Sequence, residues 1–164
     1  MSSEQNNLLA CFEVLKNEYQ FEEARQASIT TRSGNFLQFG GVLAGLCFAQ
    51  LISPSPITTI DYVLLATFST GLFLSACSII LMAIAMKANN YLRFPHKTIN
   101  IDAVREMSEI EYIICLIEAI QKIISFNQNQ NSKRLCFFSW GVGFCTATTI
   151  LFFAAIAIKA LWGA

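Results

Sequence analysis

One run of this chain gathers side chains able to hold an anion beside a flat ring. Residues 87–100 carry Lys87, Arg93, His96 and Lys97, the aromatic Tyr91 and Phe94, and no acid. Such bases can pair with a phosphate, and such rings can stack a nucleobase. Ordinary charges flanking a membrane segment would give the same run, and on these residues alone that is the simpler explanation. Other chemistry has little to work with. His96 is the single histidine, which removes multi-histidine metal sites. No GxxxxGK[ST], GxGxxG or GxSxG motif occurs. Six cysteines are present but no CxxC pair. In a reducing compartment they read as small apolar side chains, not as disulfides or a zinc site. Without convergent polar groups an enzyme is not expected, nor a metal or cofactor.

The residues around that run are apolar. Hydrophobic types make up 54% of the 164 residues and charged types 13%, against about a quarter charged in a soluble domain. The formal net charge is zero, which excludes a nucleic-acid binder that works by charge and a disordered tail. Three stretches lack any charge: 36–53, 62–86 and 135–158. Their lengths, roughly 18, 25 and 24 residues, suit a hydrocarbon core of about 30 Å at 1.5 Å per residue. Buried helices of a soluble protein are the other explanation, weakest for the two longer stretches. In lipid, backbone groups must pair within the segment, so the spans are expected to be helices. None holds an acid or base, so an intramembrane aspartyl protease or a proton relay is not expected. A cleaved signal peptide is not expected either, because the chain opens on a polar, acid-rich segment.

Lys and Arg set the orientation. Every base except Lys159 lies before the first stretch or between the second and third. The N-terminus and the long middle segment are therefore expected in the cytosol, with the short 54–61 turn and the C-terminus outward. Lys159 can snorkel to the interface near Trp162.

Two further segments read as amphipathic helices. Over 4–30, Leu8, Phe12, Leu15 and Tyr19 share a face, and Ser33-Gly34-Asn35 marks a break. Over 100–126, Asn100 is the expected cap with Asp102 in the first turn. Met107, Ile110, Ile114, Ile117 and Ile124 form a stripe there, widened by Ile113, Leu116, Ile120 and Ile123. That stripe must cover the first helix, the membrane surface or another subunit. Asn127–Asn131 reads as a polar linker, and Pro95 as the end of a helical extension of the second span. Small residues at spacing four, Gly41 with Gly45, Gly71 with Ser75, and Ser139 and Ala147 around Gly143, allow close helix approach. Packing within one subunit and packing between subunits are equally open. Three spans cannot enclose a solute path alone, so a pore requires a homo-oligomer.

The expected fold is all-α: an integral membrane protein with three transmembrane helices plus two amphipathic cytosolic helices. Its parts are 1–35 (cytosolic helix), 36–86 (two-span hairpin), 87–134 (cytosolic segment) and 135–164 (third span and outward C-terminus).

This order of parts resembles the transmembrane effectors of Pycsar antiphage defence, the PycTM family. The resemblance rests on an acidic-x-basic element before the first span, here Glu23-Ala24-Arg25, and two spans joined by a short turn. It continues with an aromatic-proline-basic element, here Phe94-Pro95-His96-Lys97, a cytosolic helix and a last span. Family members commonly carry Asp, Lys and Ala near the first element. Glu23, Arg25 and Ala27 keep the charges but not the identities. The resemblance implies a bacterial inner-membrane effector switched on by a cyclic pyrimidine mononucleotide, cCMP or cUMP, made by a partner nucleotide cyclase. Its output would be membrane impairment and abortive infection. It also raises Arg25, Tyr91, Arg93, Phe94, His96 and Lys97 as messenger contacts. A ligand-independent holin-like pore and a structural subunit of a membrane complex remain the alternatives.

Overall fold

The structure is a computed structural model that describes residues 3–52, 58–87, 91–93 and 107–162. Among these the regular structure is three helices, with no strand: α1 is Ser3–Leu51, α2 is Thr59–Met86 and α3 is Glu109–Trp162. Each helix is long and apolar enough to cross a bilayer. The amphipathic segments are not separate helices. They form the N-terminal parts of the two long helices, α1 and α3.

Two expected interruptions are absent for the same reason. Ser33-Gly34-Asn35 lies inside α1, and the Asn127–Asn131 run lies inside α3. Glycine costs roughly 1 kcal/mol in a helix interior, and asparagine favours turns. Here tertiary contacts outweigh both. Ser33, Asn127 and Asn131 are fully buried, and a bend at the asparagines would pull them from Leu92 and Glu22. Two helix ends also differ from expectation. α2 stops at Met86, with Lys87 already extended, before Pro95 is reached. α3 starts at Glu109, where Ser108 caps it: the Glu111 carboxylate accepts from the Ser108 N–H at 2.9 Å. Met107 and Ser108 are not helical, so no helix runs unbroken from Asn100. Asn100 and Asp102 themselves lie outside the described residues.

The chain divides into two compact units. The first comprises Met1–Ser28 and Ala88–Lys133. Its core is Leu15, Ile120 and Ile124, with Phe12, Tyr19 and Ile117 packed against them. The wide stripe of α3 thus covers the stripe of α1. Its buried edge is Ile113, Ile120, Ile123 and Ile124, while Met107 and Ile114 are exposed.

The second unit comprises Ile29–Lys87 and Arg134–Ala164. It is built around Cys47, Leu64, Phe68 and Ala155, with Phe68 edge-on to Phe152. Its small residues sort sharply. Gly71 and Ser75 are buried between helices. A Cβ on Gly71 would stand 3.2 Å from Cys47 Sγ, and one on Gly141 2.8 Å from Met82 Cε. Gly41, Gly45 and Gly143 face away, with no described atom within 4 Å of an added Cβ. Close packing passes instead to Gly40, Gly71 and Gly141. Arg134, buried at the start of the third apolar stretch, caps α2. Its Nε donates to the Ala85 carbonyl at 2.7 Å, and Nη2 donates to Thr30 Oγ1 at 2.8 Å and the Met86 carbonyl at 3.3 Å. A cation there also meets the negative end of the helix dipole.

Candidate functional site

The first unit has a polar centre within its helical core. Along α1 the buried positions Leu15 and Glu22 are one heptad apart; along α3 so are Ile113, Ile120 and Asn127. The same seam that carries apolar side chains at one end carries an acid and two amides at the other. Glu22 is 3% exposed and Asn131 0%. Asn131 Nδ2 donates to the Glu22 carboxylate at 2.8 Å and to the Glu22 carbonyl at 3.2 Å. Arg25, one turn on, donates to the other Glu22 carboxylate oxygen at 3.4 Å. At the edge, Gln128 donates to Glu18 and Tyr19 donates to Glu23, at 3.0 and 2.9 Å.

Tyr91, Leu92 and Arg93 meet this centre through Asn127. The Leu92 N–H donates to Asn127 Oδ1 at 3.1 Å, and Asn127 Nδ2 donates to the Leu92 carbonyl at 2.9 Å. Tyr91 is half-buried, and its hydroxyl is enclosed without a hydrogen-bond partner. Burial, and then the charges of Glu23, Tyr19 and Glu22, push its pKa up to about 12, with the Asn127 amide pulling weakly the other way. At neutral pH it is a phenol with a donor to give. Asn131 Oδ1 is likewise buried with no partner.

Of the six residues singled out by sequence, Arg25 pairs with Glu22, and Tyr91 lies within electrostatic reach of Glu23 and Glu22. Arg93 is exposed, two residues from Tyr91. Phe94, His96 and Lys97 lie outside the described residues. The acidic-x-basic element does not pair internally: Glu23 takes Tyr19, and Arg25 turns to Glu22. Glu22, Asn127 and Asn131 were not singled out, though their heptad spacing from Leu15, Ile120 and Ile124 is a usable signal.

Chemically the arrangement has two sides. The buried carboxylate and the unpaired Asn131 oxygen accept hydrogen bonds from N–H donors and repel an anion. The exposed Arg93 guanidinium suits a phosphate. No cluster able to hold a metal ion occurs among the described residues, and the six cysteines are free thiols. No protein-family model, curated protein or solved structure matches the chain.

Proposed function

We propose that this chain is a bacterial inner-membrane effector of antiphage defence gated by a cyclic pyrimidine nucleotide. Its three apolar segments cross the bilayer. The N-terminal part of α1 and residues 87–134 form a cytosolic sensor that answers cCMP or cUMP made by a partner cyclase. The messenger's phosphate pairs with Arg93 and neighbouring bases of the 87–97 run, and its base meets the Tyr91 side. Binding favours an oligomer whose spans tilt or separate, which impairs the membrane and aborts infection.

One observation carries this: the unit outside the apolar stretches has its own core and its own buried polar centre, with 91–93 held against it. A pore without a ligand needs no such element. The order of parts shared with the PycTM effectors supports the choice of ligand, and the distribution of Lys and Arg supports the orientation. For the switch to run from 1:99 to 99:1, the messenger must bind the active state about 10⁴-fold more tightly.

Calorimetry on detergent-solubilised protein tests the assignment. Heat of binding is expected with cCMP or cUMP. Arg93→Ala is expected to weaken binding by about ten-fold or more, the value of a charge-assisted hydrogen bond, and Lys16→Ala to leave it unchanged. No heat with either nucleotide overturns the ligand; equal effects of the two substitutions overturn the site. The open small-residue faces at Gly41, Gly45 and Gly143 favour a second reading, a ligand-independent pore assembled through the spans. Killing by expression alone, with no cyclase present, would favour it.

A further inference from the structure

Asn127 does something unusual for a residue in a helix–helix seam. Both polar atoms of its side chain are used on the backbone of one residue, accepting from the Leu92 N–H at 3.1 Å and donating to the Leu92 carbonyl at 2.9 Å. A side-chain amide used this way satisfies the N–H and C=O of that residue as a neighbouring strand would. Residues 91–93 make no other backbone hydrogen bond among the described residues. The Leu92 side chain is 43% exposed and Arg93 is exposed, so neither supplies much apolar anchorage.

Opposing this attachment is the Tyr91 hydroxyl, which the docked segment keeps enclosed without a hydrogen-bond partner. An enclosed polar atom without a partner costs about as much as two net hydrogen bonds gain. Two hydrogen bonds for docking and one enclosed hydroxyl against it leave the docked and released states close in free energy. Such near-balance makes an element switchable by a ligand that prefers one state.

We infer that Asn127 is a latch. It holds 91–93 docked in the resting protein, and release of Leu92 from Asn127 is the step by which a ligand at the adjoining Arg93 reaches α3. Asn127 lies on the same helix that continues as the third apolar stretch, so a change at Asn127 acts on that helix directly. The inference rests on the gated-effector proposal for its output. It adds the regulatory residue and the sign: weakening the latch activates, tightening it silences. Asn127 touches no ligand; it acts through the segment it positions.

Two substitutions with opposite expected effects test it, in the full chain, in detergent and in liposomes. Asn127→Leu keeps the seam filled beside Ile120 and Ile124 but removes both hydrogen bonds. Amide exchange at Leu92 should accelerate about ten-fold or more while residues 113–124 stay protected. Liposomes should leak an entrapped dye without nucleotide. Tyr91→Phe removes the unmatched hydroxyl, so Leu92 exchange should slow about ten-fold and the cCMP or cUMP concentration for half-maximal leakage should rise by a similar factor. Unchanged Leu92 exchange in Asn127→Leu overturns the latch. So does released Leu92 with leakage no greater than wild type. If Asn127→Leu fails to fold, Tyr91→Phe decides: no slowing and no shift overturns it. Wild-type protein that ignores both nucleotides overturns the effector proposal instead, and the exchange measurements still decide the latch.

Discussion

Asn131 donates its side-chain amide to the Glu22 carboxylate at 2.8 Å and to the Glu22 carbonyl at 3.2 Å. One residue of α3 thereby satisfies a buried acid of α1 and the backbone that carries it. Removing one partner leaves the other enclosed and unmatched, whereas removing both leaves an apolar seam. Asn131→Leu should destabilise the protein by about 2–4 kcal/mol, read as a lower Tm in detergent. Adding Glu22→Leu should recover most of that loss. A double variant no more stable than Asn131→Leu would show that the pair is not what holds this layer.

Arg134 plays the corresponding part in the second unit, donating to the Ala85 and Met86 carbonyls and to Thr30. Hydrogen bonds to a charged group are worth about 1.5–3 kcal/mol each. Arg134→Met, which keeps the stem and loses every donor, should lower stability by about 2–4 kcal/mol. The exposed neighbour Lys133 should tolerate Met within about 0.5 kcal/mol. Equal Tm shifts for the two variants would contradict the cap.

Tyr91 supplies a pH signature. Its pKa is pushed up to about 12 by burial first and then by Glu23, Tyr19 and Glu22, against about 10 for an unperturbed tyrosine. The folded chain therefore keeps a proton that the unfolded chain gives up between those values. The stability tied to Tyr91 is full below about pH 10 and is lost as pH rises through about 12. Tyrosinate absorbance should show a late component that Tyr91→Phe abolishes. Loss of an early component instead would place Tyr91 in water.

Topology can be read from native thiols. Cys11 and Cys115 are exposed. With each kept as the single cysteine, a membrane-impermeant maleimide should label it only after the inner membrane is permeabilised. Lys159→Cys, as the single cysteine, should react in intact spheroplasts. Labelling of Cys11 or Cys115 in intact spheroplasts would overturn the proposed orientation.

Much of this fold is legible in residue type. Long uncharged runs mark the spans because a charge in lipid is expensive and a stretch without one is informative. The polar seam is not legible that way. Asn127–Asn131 reads as a linker when composition is counted, yet Asn127 stands one heptad past Ile120 and one before Arg134, both buried. Ser33 likewise stands one heptad before Gly40, and both are buried. Period seven, followed through polar residues, recovers what apolar counting loses. The α3 stripe shows the same displacement: Ile114, at its expected centre, is exposed, and the widening residues Ile113, Ile120 and Ile123 are buried. At the site, the 87–100 run contains no acid, so its surroundings read as basic. The acids that surround Tyr91 come from α1, and only the packing of α1 on α3 brings them there.

Dye release from liposomes holding the purified chain measures the gating claim most directly. Micromolar cCMP or cUMP, added to the side that bears the α1 N-terminus, should release the dye from wild-type vesicles. Arg93→Ala vesicles should need at least about ten-fold more nucleotide. Release at the same rate with and without either nucleotide, from protein whose helicity and Tm are normal, would contradict a ligand-gated effector.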